Sequence, residues 1–308
     1  MNTEFAIIIN PTSGGGRAKA RWTELEKALI LKAIPFKTFE SQYDRHAVEL
    51  AKIAVNEGYT HLIAVGGDGT ISQLANGILS LDSAKRQGIA ITLFSCGTGN
   101  DWVRAHGIPT DVNAFVLRLK NLNYGYQDAA KIILMAQENE QIFYAINVIG
   151  LAYDAFVAKK SASRKSTQWS GKFYLLHVLS SLFDYQPETI SIKSSEKQIT
   201  DNLYTINIGV CPFSGGNMML VPHADPNDNL LAVTVVKSIP KWEVILKTPM
   251  FYNGKIGEHR ASELWQTESI EIHAETGKQT GIEADGDYIG QTPVKIESMS
   301  NVIRIFGI

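Results

Sequence analysis

The sequence predicts two domains: an α/β domain in the first half and a β-rich sandwich or barrel in the second. The chain has 308 residues, which is long for one hydrophobic core. Up to about residue 120, short apolar runs alternate with segments whose apolar residues recur at helical spacing. Beyond about residue 125, β-branched and aromatic runs separated by turn residues dominate. We therefore expect domains 1–128 and 129–308, packed together with the functional site in the cleft between them.

In the first domain, strands and helices are expected to alternate. The predicted strands are 5–9, 36–39, 61–65 and 89–94. One helix is predicted over 17–33, and a second from an N-cap at Asp44 to residue 57, ended by Gly58. Further helices are expected after Thr70 and after Asp111.

In the second domain, short strands are expected with one helical interruption at 170–183. The predicted strands are 143–148, 189–192, 204–210, 231–236, 269–273 and 302–306, and the last could pack back on the first domain.

Composition excludes several classes of protein. The chain is 44% hydrophobic and 19% charged, the balance of a globular protein, and its net charge of -2 gives no field that favours nucleic acid. Cys96 and Cys211 stand in no metal-ligand spacing and fit a reducing cytoplasm. The N-terminus lacks the basic region of a signal peptide, and no run approaches the ~18 apolar residues of a membrane span. We expect a cytoplasmic protein whose contact with a membrane is peripheral and comes from a local patch.

The strongest local motif is Gly-Gly-Asp-Gly-Thr at 66–70, between a predicted strand and a helix. Glycine lets the backbone come close to a ligand, and amides at a helix N-terminus bind phosphate. Asp68 stands where phosphate is expected, so a divalent cation between the two is a sensible reading. A glycine-rich turn with Asp68 as a cap remains the alternative for this motif alone.

Two further glycine-rich loops also follow predicted strands. Residues 10–16, Asn-Pro-Thr-Ser-Gly-Gly-Gly, form neither a P-loop nor a Rossmann fingerprint, yet their amides could cradle phosphate. Arg17 and Lys19 after this loop are read as solvated. The third loop is 96–101, Cys-Gly-Thr-Gly-Asn-Asp. Loops at the carboxyl ends of strands collect at one edge of an open α/β sheet, so the three together predict a phosphate site.

These three loops resemble those of the diacylglycerol kinase catalytic-domain family, which includes sphingosine, ceramide and bacterial lipid kinases. The likeness continues in 215–218, 222–230 and 283–287. It implies a kinase that uses ATP and Mg²⁺ to phosphorylate a lipid hydroxyl, of diacylglycerol or a similar lipid. The nucleotide-binding candidates that it implies are Asn10, Pro11, Thr12, Ser13, Gly14, Ser41, Gly66, Gly67, Asp68, Gly69, Thr70, Gly97, Thr98 and Asn100.

The same resemblance implies the roles of the acidic residues. Asp285 matches the general base, and Asp68 is the other catalytic candidate. The carboxylates expected to hold the catalytic Mg²⁺, directly or through water, are Asp68, Asp101, Asp128 and, from the second domain, Asp287. A structural Mg²⁺ is expected at the Asp228 side chain with carbonyls of Asp225 and Leu230. Taken without the family, 283–287 and 225–230 are ordinary polar turns.

Four positions depart from the family pattern and leave the substrate open. They are Gln73 for a glutamate, Ala152 and Asn229 for glycines, and Asp287 for a glutamate. Asn229 is expected to adopt the left-handed conformation that glycine would take.

A basic stretch next to an apolar segment is the candidate for membrane contact. It contains Lys159, Lys160, Arg164, Lys165 and Lys172, and the apolar helix is expected at 169–183. A core helix joined by a solvated loop explains it equally well. His177 and His223 have no partner at ligand spacing and are read as structural.

Two other functions remain open at this stage. One is a kinase for a soluble alcohol, and the other is a nucleotide-binding regulator without turnover. The sequence does not name the lipid, does not choose between ATP and GTP, and leaves a homodimer open.

Overall fold

The computed structural model describes residues 3–97, 99–135, 140–162, 178–275 and 279–308. They form two compact units. The first contains Met1–Gln127 together with Asn301–Ile308, and the second contains Asp128–Ser300. The first is α/β and the second is β-rich, so the predicted fold class is confirmed.

In the first unit, strands and helices alternate along the chain. Its elements are β1 (Phe5–Ile9), α1 (Arg17–Leu31), β2 (Phe36–Glu40), α2 (His46–Asn56), β3 (His61–Gly66), α3 (Asp68–Leu79), α4 (Ser83–Arg86), β4 (Ala90–Ser95), α5 (Asp101–Ala105), α6 (Val112–Asn121) and the first residues of β5 (Tyr124–Leu134).

The sheet of this unit is parallel, with its strands in the order β2, β1, β3, β4. The end of the last strand of the chain, β17 (Val294–Phe306), adds to it: Arg304 and Ile305 run parallel to Ala90 and Ile91. Every residue of β1, β3 and β4 is buried, as expected for a parallel sheet covered on both faces. Parallel strands end at the same edge, so the loops that follow β1, β3 and β4 lie close together.

Helix starts in this unit correct two local predictions. Asp44 is not an N-cap, because α2 begins at His46 after Arg45, whose φ is 61°. The helix expected after Thr70 starts earlier as well, since α3 begins at Asp68 and the Thr70 side chain is buried against Gly66. By contrast, Asp111 caps α6 as predicted: its Oδ1 accepts a hydrogen bond from the backbone N–H of Ala114 at 2.9 Å.

The second unit is built mainly from antiparallel strands. Besides the remainder of β5 and the first part of β17, its elements are β6 (Gln141–Ala145), β7 (Val148–Ala152), α7 (Tyr153–Ala162), β8 (Glu188–Ser194), β9 (Gln198–Gly209), β10 (Phe213–Ser214), β11 (Met218–Met219), β12 (Leu231–Lys237), α8 (Lys241–Lys247), α9 (Pro249–Tyr252), a 3₁₀ turn (Ile256–Glu258), β13 (Ser262–Thr267), β14 (Ser269–Ala274), β15 (Gly281–Ala284) and β16 (Asp287–Gln291).

Strand β9 organises this unit, with β7, β8 and β12 as its antiparallel neighbours. β7 continues to β15 and β16, and β8 continues to β14 and then β17. The predicted strand 143–148 is wrong as a single strand, because Ile146 and Asn147 separate β6 from β7. This break matters below, since both residues bind an acidic side chain through their backbone.

Only part of the segment proposed for membrane contact lies within the described residues. Arg164, Lys165, Lys172 and His177 lie outside the described residues, and so does most of the expected helix 169–183, of which 178–181 are helical. Lys160 pairs with Asp184 at 2.6 Å, and the Lys159 ammonium lies 5.2 Å from the ring centroid of Tyr288. Among the described residues, no helix combines the length and the apolar character needed to cross a membrane.

Candidate nucleotide and metal sites

In the first unit, the three glycine-rich loops lie against one another. A Cβ added to Gly67 would be 3.3 Å from Ser13 Oγ and 3.6 Å from the Cα of Gly97. A Cβ added to Gly14 would collide with the carbonyl oxygen of Cys96. The first and third loops therefore approach so closely that a side chain at Gly14 would push them apart, while a Cβ at Gly67 would fit only tightly.

The first loop is folded by Asn10. Its backbone N–H donates to the Val65 carbonyl at 3.0 Å, which ties the end of β1 to β3. Its side-chain Oδ1 accepts hydrogen bonds from Thr12, at 3.2 Å from the backbone N–H and 2.9 Å from the hydroxyl. Pro11 follows it directly, and Ser41 lies beside it, because the Ser41 N–H donates to the Ile9 carbonyl at 2.8 Å. The Asn10 side-chain oxygen thus holds the start of the loop in its turn.

Three consecutive glycines complete this loop. Gly14, Gly15 and Gly16 have φ values of 60°, 77° and 82°, all in the left-handed region that favours glycine. Arg17 is not simply solvated as predicted, because its Nε donates to the Gly14 carbonyl at 2.7 Å. The arginine therefore holds the loop in its bend and brings a positive charge to the site.

Asp68 and Asp101 are brought together beside Gly99. A Cβ at Gly99 would be 2.9 Å from Asp68 Oδ2 and 3.3 Å from Asp101 Oδ2. Backbone N–H groups at the start of α5 bind Asp68, with that of Trp102 donating to Oδ1 at 3.0 Å. Arg104 pairs with Asp101 at 3.0 Å. Asp68 thus ties the third loop to the second.

The electrostatics of Asp68 suit a cation. Burial raises the pKa of this carboxyl above its ordinary value, and the charge of Asp101 raises it further, while the backbone N–H groups oppose both effects. Two carboxylates around a gap that no Cβ fills are an oxygen donor set, and Mg²⁺ is commonly bound by one or two carboxylates together with substrate phosphates. These residues therefore fit Mg²⁺.

The wider metal set is not found as one cluster. Within the described ranges, no three His, Cys, Asp or Glu side chains are arranged to hold an ion. Asp128 is fully buried, and its Oδ2 accepts the Asn229 N–H at 2.7 Å, so it supports the 225–230 turn of the second unit. Asp287 is exposed at the start of β16. Thr98 lies outside the described residues.

The 225–230 turn is closed by its own aspartates. Asp225 Oδ1 accepts the Asn227 N–H at 3.0 Å, and Asp228 Oδ1 accepts the Leu230 N–H at 3.0 Å. Gln266 donates to the other oxygen of Asp228 at 2.5 Å. Asn229 has φ 68°, the left-handed conformation expected of it. Both oxygens of Asp228 are therefore already hydrogen-bonded.

The acidic segment 283–287 is a two-residue β-hairpin. Asp285 and Gly286 have φ values of 50° and 94°, as in a type I′ turn between β15 and β16. The Asp285 carboxylate accepts backbone hydrogen bonds from Ile146 at 3.0 Å and Asn147 at 2.9 Å. Asp285 is thus an anchor between the hairpin and the β6–β7 break.

Two acids beneath this hairpin, the buried Glu283 and the half-buried Asp154, were given no role from the sequence. Burial raises the pKa of Glu283 well above its usual value, and the charge of Asp154 adds to this; its Oε2 accepts the Gly286 N–H at 2.7 Å. Burial also raises the pKa of Asp154 to about 6, against hydrogen bonds from Thr205 and Asn207. A Cβ at Gly150 would collide with Glu283. Gly150 and Asp154 stand only four positions apart, but no local pattern places Glu283 beside them.

The comparisons with known proteins agree with the geometry. A model described as the diacylglycerol kinase catalytic domain matches residues 4–132, and one described as the YegS C-terminal NAD kinase beta sandwich-like domain matches 147–307. The chain therefore contains a diacylglycerol kinase catalytic domain, and its second half, more than half of the chain, belongs to the family of YegS C-terminal domains. The resemblance seen in the three loops is confirmed.

Two relatives from Bacillus subtilis span nearly the whole chain. The protein named lipid kinase YtlR is 26% identical, over 98% of this chain and 99% of its own length. The protein named diacylglycerol kinase is 25% identical, over 97% and 94%. The homologues are thus lipid kinases by name.

Solved structures share the fold. A diacylglycerol kinase from Bacillus anthracis superposes with a TM-score of 0.71 at 19% identity, covering 98% of this chain and 96% of its own. Yeast NADH kinase, solved with NADH, gives 0.56 at 10% identity over 99% and 83%. At these identities the likeness establishes the architecture only.

Proposed function

We propose that this protein transfers the γ-phosphate of ATP to a hydroxyl group of a lipid, diacylglycerol or a lipid of similar headgroup, at a membrane surface. Residues 1–128 would bind the nucleotide and 129–308 the acceptor. One observation carries the proposal: three glycine-rich loops from neighbouring parallel strands meet around Ser13, Gly67 and Gly97, with two carboxylates beside them. Backbone amides at such a loop cluster bind phosphate groups, and carboxylates bind the accompanying cation.

Each loop has a distinct part in the proposed reaction. The 10–16 and 66–70 loops would orient the phosphates through backbone N–H groups, assisted by the guanidinium of Arg17. Asp68 and Asp101 would hold Mg²⁺, which when bound neutralises negative charge on the phosphates. Phosphoryl transfer depends on positioning and charge stabilisation, and both are what rigid backbone loops supply.

Asp285 is the proposed base, and its surroundings limit how it can act. Two backbone N–H groups fix the carboxylate, so it would orient the acceptor hydroxyl and accept the proton late in the transfer. Asp287 next to it would approach a cation through water, because its side chain is shorter than glutamate.

The test is transfer of radiolabel from ATP, in the presence of Mg²⁺, into a panel of lipids in mixed micelles and of soluble alcohols. We expect label in one lipid class. If only a soluble alcohol is labelled, that alcohol and not a lipid is the acceptor. No label in any acceptor, with nucleotide binding intact, would refute the kinase and leave a regulator.

Charge-removing variants locate the chemistry. Asp68→Asn keeps an oxygen for the Trp102 N–H but loses the charge, so we expect loss of turnover with weaker Mg²⁺ dependence. Asp111→Asn is the matched control, because asparagine caps α6 equally well. Equal activity in wild type and Asp68→Asn would contradict the metal role.

Asp285→Asn needs a folding control of its own. Its amide group would face one of the two backbone N–H donors and lose that hydrogen bond, so the hairpin itself could shift. Thermal unfolding and binding of a non-hydrolysable ATP analogue should therefore accompany the assay. Lost turnover with both unchanged supports the base, whereas retained turnover removes it.

A further inference from the structure

A cavity lies in the first unit, away from the glycine-rich loops. It has a volume of about 560 Å³, within the range of small-molecule sites. Its lining residues come from α4 and the turn after it, from β5 and from the end of β17; they are Ser83, Ala84, Arg86, Gln87, Gly88, Ile89, Tyr126, Asn301, Val302 and Arg304. This is an open pocket, and none of its lining residues belongs to the glycine-rich loops.

The position of this cavity separates it from the nucleotide site. Gly88 and Ile89 directly precede β4, whereas the Cys96–Asp101 loop follows that strand. A six-residue strand spans about 17 Å between its first and last Cα atoms. The two sites are therefore at opposite ends of the same strand.

Two arginines give the cavity its charge. Arg86 and Arg304 both line it, and no carboxylate is among its described lining residues. None of the ion pairs found in the described part of the chain involves either guanidinium. Guanidinium groups bind phosphate through paired N–H donors, so two of them facing one space favour an anionic ligand.

Arg304 supplies an independent sign of a missing partner. Among the described residues, no hydrogen-bond acceptor faces its buried Nε, which is costly for a charged group. The side chain is fixed, because its guanidinium carbon lies 3.7 Å from the ring centroid of Tyr124. The pKa of His61, which bonds the Tyr124 hydroxyl at 2.7 Å, is lowered by burial and then by the Arg304 charge, so this charge is felt locally.

The remaining walls suit an organic group attached to the anion. Ile89 and Val302 are apolar, and Tyr126 is 52% exposed, which leaves its ring open for stacking. Gly88 has φ 82° and open space where a Cβ would stand. We propose that this cavity binds a phosphate ester, with Arg86 and Arg304 on the phosphate and Tyr126 against the organic part.

The experiment is calorimetric titration of the full chain with inorganic phosphate, with glycerol 3-phosphate, and with vesicles of phosphatidylcholine that contain or lack phosphatidic acid. A saturating non-hydrolysable ATP analogue keeps the loop site occupied. The variants are Arg86→Gln and Arg304→Lys, and Lys85→Gln is the matched control, because Lys85 is exposed in the same helix and does not line the cavity.

We expect saturable binding of glycerol 3-phosphate that Arg86→Gln weakens about tenfold or more, with Lys85→Gln unchanged. Arg304→Lys keeps the charge but loses the fork, and should weaken it as well. If the same variants weaken binding to vesicles that contain phosphatidic acid, the phosphate ester is a lipid headgroup. If only glycerol 3-phosphate binds, the ester is a free metabolite. Binding that Lys85→Gln weakens as much as Arg86→Gln, or no saturable binding in any arm, would overturn the proposal.

Discussion

Replacing Gly14 by alanine tests whether the close approach of the loops makes the nucleotide site. Its φ of 60° costs alanine about 1–2 kcal/mol in the left-handed region. Its Cβ would also collide with the Cys96 carbonyl, and relieving such overpacking costs about 1–3 kcal/mol more. The expected loss in the free energy of unfolding is therefore roughly 2–5 kcal/mol.

Gly16→Ala separates the two costs. Gly16 has φ 82°, but no atom of the described residues lies within 4 Å of an added Cβ. This variant should lose only the backbone part, about 1–2 kcal/mol. The difference between the two variants measures the contact between the first and third loops.

Denaturant unfolding and calorimetric binding of a non-hydrolysable ATP analogue form the assay. Gly14→Ala should bind the nucleotide about tenfold more weakly or worse, since even ~1.4 kcal/mol of lost loop ordering has that effect. Gly16→Ala should bind nearly as wild type does. Equal unfolding losses in the two variants would show that the Cys96 contact is not felt, and wild-type affinity in Gly14→Ala would show that the loops do not form the site.

Three further outcomes follow from buried groups. The Asp154 pKa is raised to about 6, so the folded state keeps a proton that the unfolded state loses between about pH 4 and 6, and the free energy of unfolding should fall as pH rises through that window. Asp154→Asn should remove this pH dependence and raise the free energy of unfolding by up to roughly 3 kcal/mol at pH 7. An unchanged pH profile in the variant would refute the pKa shift. Burial lowers the His106 pKa to about 4, so stability from its neutral form should be present above about pH 6.5 and lost as pH falls towards 4; a ring titration near 6.5 by NMR would contradict this. Gln127→Leu should lower the free energy of unfolding by about 2–5 kcal/mol in thermal unfolding, because Gln127 Oε1 lies 2.8 Å from both Trp102 Nε1 and His106 Nε2. A loss under about 1 kcal/mol would mean that a water molecule takes the place of the Gln127 oxygen.

Much of the first unit could be predicted because its signals are local. β1 has the predicted bounds, since an apolar run ends at the turn residues Asn10 and Pro11. The meeting of the loops follows from parallel strands alone. The hydrogen bonds that hold the loops could not be predicted in this way. Those between Asp68 and Trp102 and between Arg17 and Gly14 depend on how each loop turns in space.

The second unit was harder to predict because its strands and contacts depend on residues that are distant in the sequence. β5 begins Tyr-Gly-Tyr-Gln-Asp, which carries no aliphatic residue, and this strand pairs with β17 and β6 in the sheet. Ala152 replaces a glycine of the family pattern, and its φ of 64° gives the physical reason why glycine is usual there. Asp285 was assigned from the family, but its two backbone donors are some 138 positions away and no sequence spacing points to them.

The return of the chain to the first unit has a consequence for synthesis. Phe306 is fully buried and stacks on Phe5 at 5.7 Å between ring centroids, so residues from the two ends of the sequence share one core. A ribosome makes 128–300 before it makes 301–308, and until those last residues emerge β4 has an open edge. The second unit therefore has its complete sequence on the ribosome before the first unit does.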